Sequence, residues 1–264
     1  MIISKFKYPF KLRIFVKKIS IMSFVKKLSP FYNLALFYVV VSFILRIVLV
    51  FHPITQASFS GLDTIKIFTF GILSDFLVFT VLSGLLWLYL IFISNSKYLK
   101  PTGYIIFGLL VSLFLYVTFG NTILNEYGGA LPEIGMAFIG LKTLLFGLLL
   151  FLPKYRNSIR FWLFSFVIFL FVTLILQNAI SEFFFWNEFG VKYNFIAVNY
   201  LVYTNEVIGN IMQSYPVIPI FTALFVISWS ITYFVVQHSK NYIDSIPSFT
   251  EKIQISGLYF VMLG

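Results

Sequence analysis

Six stretches of about twenty apolar residues, parted by short polar or Pro- and Gly-bearing breaks, leave this 264-residue chain little choice of fold. A helix rising 1.5 Å per residue crosses the ~30 Å hydrocarbon layer of a bilayer in about 20 residues, with its backbone N–H and C=O groups bonded internally. The stretches cover roughly 33–51, 65–93, 103–124, 134–152, 161–180 and 217–237, and a seventh begins near Ile253. His52-Pro53, Ser94-Asn95-Ser96, Gly128-Gly129, Pro132, Pro153 and Pro216 separate them. The expected fold is therefore all-α, a polytopic transmembrane helix bundle of about six full spans plus a truncated seventh, with interfacial helices. The Gly-rich link between 103–124 and 134–152 also fits a re-entrant hairpin. The seventh stretch stops after about 11 residues, ~16 Å of helix. It is either a half-buried helix or part of something longer, and a fragment of a longer chain is the expectation adopted.

Composition agrees with a membrane protein. Sixty percent of residues are hydrophobic, 11% are charged, and the mean hydropathy is +0.96. No hydrophilic run is long enough for a separate soluble domain. The absence of Cys excludes disulfides and Cys-based metal or redox sites. His52 and His238 fall near opposite faces of the expected topology, so they cannot complete one metal site together. The net charge of +10 does not point to nucleic acid. Eight cations lie within residues 5–27, interleaved with Phe, Ile, Leu and Val. Residues 1–30 thus read as a basic amphipathic cytoplasmic segment on anionic lipid headgroups, or as a plain orienting anchor, ahead of a bundle over 31–264.

Charge also orients the chain. With the N-terminus inside, the cytoplasmic segments hold those eight cations together with Lys97, Lys100, Lys154, Arg156, Arg160, Lys240 and Lys252, fifteen of the 19. The positive-inside rule therefore predicts a cytoplasmic N-terminus, and an odd seventh span then sends the C-terminus toward the outer face.

Arg46, Asp75 and Lys142 fall inside expected spans, all in the outer half of the membrane. A charge at mid-bilayer costs at least ~2.5–3.5 kcal/mol on insertion scales, so such residues tend to face the bundle interior and pair. Arg46 and Asp75 sit on consecutive antiparallel spans and suit a buried pair that pins two helices. Alternatively they line an outward polar cavity in which Arg46 or Lys142 meets a headgroup phosphate; the arginine fork fits phosphate geometry, whereas lysine acts as a point charge.

Residues 181–216, SEFFFWNEFGVKYNFIAVNYLVYTNEVIGNIMQSYP, are too polar to span a bilayer and too aromatic for an ordinary loop. Their apolar residues recur every three or four positions, which predicts one or two interfacial helices at the outer face. Trp186, Tyr193, Tyr200 and Tyr203 would lie at headgroup level, and Glu182, Glu188 and Glu206 on the polar side. The segment is then either an aromatic-belt connector or a strip that guides a headgroup or docks another domain.

The run over 182–211, closed by Ser214-Tyr-Pro216, resembles the membrane domain of lipoteichoic acid synthase-like phosphoglycerol transferases, and more closely their Gram-negative sulfatase-like branch. Arg46 in the first span, and Asp75 within Gly71-Ile-Leu-Ser-Asp-Phe76, are similar to that family's early pattern. The resemblance covers about 33–93 and 155–264, while 103–152 departs from it as an extra pair of spans. It implies a bacterial cytoplasmic (inner) membrane protein, and a large extracytoplasmic catalytic domain with a metal-bound nucleophile. Neither a sulfatase Cys/Ser-x-Pro-x-Arg element nor an Asp/His metal cluster occurs in this sequence. The chain itself is thus expected to have no catalytic residues and no cofactor, a divalent metal belonging to the missing domain. Its expected partners are the lipid bilayer, anionic phospholipid headgroups and that catalytic domain, and not nucleic acid. The implied role is a non-catalytic anchor with Arg46, Asp75, Lys142, Glu182, Glu188 and Glu206 as headgroup or polar-cavity candidates. The rival reading is a self-contained transporter or channel using Arg46, Asp75 and Lys142. A third, a structural assembly protein, has no positive feature.

Overall fold

The structure, a computed structural model, describes residues 29–55, 59–93, 95–120, 122–127, 129–192, 209, 211–244 and 249–263. These residues form nine α-helices and no strand. They are α1 (Ser29–Val50), α2 (Gly61–Leu82), α3 (Gly84–Ile91), α4 (Thr102–Phe119), α5 (Ile123–Tyr127), α6 (Leu131–Phe151), α7 (Arg156–Phe189), α8 (Val217–Asp244) and α9 (Phe249–Leu263), with a 3-10 turn at Asn95–Tyr98. Six of them, α1, α2, α4, α6, α7 and α8, are long and apolar enough to cross a membrane. Their apolar side chains are largely exposed, among them Leu36, Phe70, Phe119, Phe138 and Ile218. Soluble monomers do not carry apolar surface on that scale; lipid would cover it. The protein is an all-α, multi-pass membrane protein.

Element ends differ from the sequence reading for identifiable reasons. Helix α2 starts four residues before the expected 65 because Ser60 and Asp63 form a capping box: the Asp63 N–H donates to Ser60 Oγ, and Ser60 N–H to Asp63 Oδ2, both at 3.2 Å. The single span expected over 65–93 is interrupted at Ser83. There Thr80 Oγ1 donates to Phe76 O and Ser83 Oγ to Thr80 O, hydroxyl back-bonds that bend helices. Helix α7 does not stop at residue 180 but continues to Phe189, so the first nine residues of 181–216 extend a span. At 34 residues it is ~51 Å long and overhangs the hydrocarbon with polar ends. Gly190, at φ +65°, terminates it in the left-handed conformation that glycine adopts most cheaply.

The chain divides into two compact units. Residues 1–91 and 165–264 form one. In its core Phe31 meets Phe79 and Tyr259 edge-on, at ring-centroid distances of 5.4 and 6.2 Å. Tyr259 of α9 stacks on Trp87 (4.9 Å, 11° between planes) and donates its hydroxyl to Thr80 O (2.7 Å), at the α2–α3 break. Gly84 leaves room for that hydroxyl, since a Cβ there would lie 3.0 Å from it. The residues of the expected truncated seventh span lie in α9, a 15-residue helix that rests on the break through Tyr259 and is not among the six helices of spanning length.

Residues 92–164 form the second unit. Here α4 and α6 are two full-length antiparallel helices rather than a re-entrant hairpin. Gly140 faces the Phe114 ring and Gly147 the Phe107 ring, and Thr143 Oγ1, which donates to Ile139 O of its own helix (2.8 Å), lies 3.4 Å from Leu110 O. At one end Tyr98, Leu149 and Leu150 are buried together under Phe107, Phe146, Ile159 and Leu163.

Candidate functional site

A buried ion pair forms the centre of the first unit. Arg46 projects from the last turns of α1, and its Nη2 donates to Asp75 Oδ2 of α2 at 2.7 Å. Arg46 is 6% and Asp75 7% exposed, so both charges are out of water. Gly71 lies one turn before Asp75 on the same face of α2. A methyl group there would collide with Cζ, Nε and Nη1 of Arg46, so the glycine is the notch in which the guanidinium lies. Arg46 Nη1 is buried with no hydrogen-bond partner among the described residues. One edge of the guanidinium is thus neutralised while another holds unused donors, although buried charged groups normally have their hydrogen bonds filled. Such a fork can accept a second anionic oxygen. Tyr38 lies within electrostatic range of Arg46, Asp75 and Glu182, and its hydroxyl is hydrogen-bonded to Ser42.

Above the pair, where α1 and α7 end and α8 begins, a rim of polar and aromatic side chains closes the unit. Thr55 Oγ1 donates to Leu49 O (2.7 Å), a carbonyl at the end of α1 that also accepts the His52 N–H (3.3 Å), and accepts from Trp186 Nε1 (3.2 Å). His52 packs edge-on to Phe183 at 5.7 Å. Its Nδ1 accepts the Ile54 N–H (3.3 Å). Glu182 pairs with Lys192 at 3.3 Å. Tyr215, just before α8, donates to Glu188 Oε1 (2.7 Å), accepts a longer bond from Asn187 Nδ2 (3.4 Å) and lies on Phe184 (4.3 Å). The hydrogen bond to Glu188 is the main reason the Tyr215 hydroxyl has a pKa above its ordinary value.

Of the residues singled out from sequence, Arg46 and Asp75 meet directly, and Trp186, Glu182 and Glu188 all make side-chain contacts in the rim. Lys142 belongs to the second unit and is exposed on α6, its Nζ 5.9 Å from the Phe138 ring. It does not face the interior of its unit as expected; its long stem lets the ammonium leave the helix surface while Phe138, one turn earlier, supplies a cation–π partner. Tyr193, Tyr200, Tyr203 and Glu206 lie outside the described residues, as does the basic N-terminal segment up to residue 28. Sequence reasoning missed Thr55 and Tyr215 as rim partners and Gly71 as a notch. The Gly71-x-x-x-Asp75 spacing was the available signal for the last. Among the described residues no three His, Cys, Asp or Glu come together in a way that could hold a metal ion. Comparison of the chain with protein families, curated proteins and solved structures found no match.

Proposed function

We propose that this multi-pass protein is the membrane-anchoring domain of a phosphoglycerol-transferase or sulfatase-like enzyme, and that Arg46 receives the phosphate of a lipid headgroup at the outer leaflet. The observation that carries this reading is the half-used guanidinium. Asp75 neutralises Arg46, Gly71 lets it lie flat against α2, and Nη1 is left without an acceptor. A phosphate oxygen would satisfy the free edge of the fork, and Asp75 would hold the other edge in place. The rim of Trp186, Glu188 and Tyr215 would then bound the entrance and face the catalytic domain. The chain contributes recognition and anchorage, not bond breaking.

Two measurements test the reading. A phospholipid with a photoreactive headgroup should label α1 and α2 around Arg46. Arg46→Lys, which keeps the charge but loses the fork, should reduce that labelling at least tenfold at unchanged helix content. Because the chain has no Cys, single introduced cysteines report topology without background. Lys192→Cys and Gly264→Cys should react with an impermeant maleimide from outside intact cells, and Lys100→Cys only after permeabilisation. Equal photolabelling of the native protein and Arg46→Lys, or a Gly264→Cys reachable only from the cytosol, would end the proposal. Solute uptake by proteoliposomes holding this chain alone would support the transporter instead.

A further inference from the structure

The second unit carries a concentration of positive charge that the anchoring role does not use. Lys97, Lys100, Lys154, Arg156 and Arg160 all lie at the end where α4 begins and α6 finishes, and no carboxylate shares that end. The unit's two acids, Glu126 and Glu133, are at its opposite end, ~27 Å away along the 18 residues of α4.

These cations divide into two sets. Arg156 donates through Nε to Leu149 O (2.6 Å) and through Nη2 to Leu150 O (3.1 Å). Arg160 donates to Ile93 O (2.7 Å), and Lys97 to Phe92 O (2.6 Å). Arg156 closes the end of α6, and Arg160 and Lys97 bond the carbonyls of residues 93 and 92 within the same unit. Lys100 and Lys154 are exposed and have neither a hydrogen bond nor an ion pair among the described residues. Each ammonium instead lies near a tyrosine ring, Lys100 5.5 Å from Tyr104 and Lys154 5.6 Å from Tyr155. The two connectors are joined beneath them: Tyr104 packs on Phe151 (6.1 Å), Arg156 on Tyr98 (5.3 Å), and Gly103 is so close to Leu150 that a Cβ would lie 2.7 Å from its Cδ1. Two unpaired ammonium groups are therefore held on a rigid aromatic collar at the mouth of a membrane helix pair.

We infer that this collar is a binding site for the phosphate of an anionic glycerophospholipid, with Lys100 and Lys154 as its charged contacts and Tyr104 and Tyr155 at headgroup depth. Charge complementarity selects the occupant. Lys100 and Lys154 have no ion pair among the described residues, the helices below them expose apolar side chains that lipid would cover, and tyrosines favour the interface between hydrocarbon and water. The inference does not rest on the role proposed for Arg46.

The test is native mass spectrometry of the full chain, equilibrated in detergent with equal amounts of phosphatidylglycerol and phosphatidylcholine of matched acyl chains. The native protein should retain phosphatidylglycerol selectively. Lys100→Gln with Lys154→Gln should weaken that adduct roughly thirtyfold, about fivefold for each cation removed from the headgroup. The charge-matched control, Lys66→Gln with Lys142→Gln, should leave the adduct within about twofold. Both collar lysines are exposed and unbonded, so the folded chain should survive their loss. Retention of the two lipids without preference, or a preference unchanged in the collar variant, overturns the inference. A preference lost only in Arg46→Lys assigns the lipid to the other unit and overturns it equally.

Discussion

The two units bury arginine by different means. In the first, Arg46 stands within a helix, where carbonyls are normally engaged along the ladder, and its acceptor among the described residues is the carboxylate of Asp75. In the second, Arg156 and Arg160 donate to the backbone carbonyls of Leu149, Leu150 and Ile93. The last carbonyls of a helix lack intrahelical partners and carry the negative end of its dipole. A cation at a helix end therefore finds its counter-charge in the backbone, whereas one in mid-helix needs a side chain from another span. The mid-helix arrangement is the more specific, because it fixes the register of two helices.

The largest effect should come from breaking the mid-helix pair on one side only. Asp75→Asn leaves Arg46 charged and uncompensated in the interior, which typically costs ~3–5 kcal/mol. Thermal unfolding in detergent should show it as the most destabilised variant. Replacing both partners, Arg46→Met with Asp75→Leu, should recover most of the loss, since an apolar pair of similar volume substitutes well for a buried ion pair. A double variant no better than Asp75→Asn would show that the pair's charges are not what holds α1 to α2.

Arg156→Met removes charged hydrogen bonds to carbonyls at a helix end that water can still reach, and should cost ~1.5–3 kcal/mol by the same assay. If it equals or exceeds Asp75→Asn, the contrast between the two burials fails. Gly71→Ala drives a methyl group into the Arg46 guanidinium and should cost ~1–3 kcal/mol by overpacking. In the Arg46→Met, Asp75→Leu background most of that penalty should vanish, because the collision is with the arginine itself.

Run length and charge made part of this legible in advance. Six apolar stretches can only become helices in lipid, and two opposite charges on consecutive spans have few partners but each other. The missed features depend on information that composition does not hold. The break at Ser83 has no proline to announce it; it arises where Thr80 and Ser83 bond back along the helix and Tyr259, 179 positions away, takes up the Thr80 carbonyl. The turn to polar residues at Ser181 marked where the hydrocarbon ends, but a helix need not stop there, and α7 runs on until Gly190 permits a reversal. The cost of a mid-membrane charge points Lys142 to the interior, yet its long stem carries the ammonium clear of the helix surface beside Phe138.

The smallest effect expected at neutral pH belongs to Tyr98, buried in the collar beside Arg156. Burial pushes its hydroxyl up to about 12, against the opposing pull of Arg160 and Arg156. That burial wins over two nearby cations fits arginines whose charge is already engaged by carbonyls. An unfolded chain would ionise this tyrosine near 10. The folded state therefore keeps the neutral form longer. The stability linked to this group is fully present below pH 10 and is lost as pH rises through about 12, because the unfolded chain releases its proton first. Tyr98→Phe should behave like the native protein at pH 7 and unfold at a higher temperature than it above pH 10. Parallel stability curves for the two proteins between pH 9 and 12 would mean that Tyr98 is more hydrated than its packing against Leu149, Leu150 and Phe146 implies, and that the collar arginines keep more free charge than their carbonyl bonds suggest.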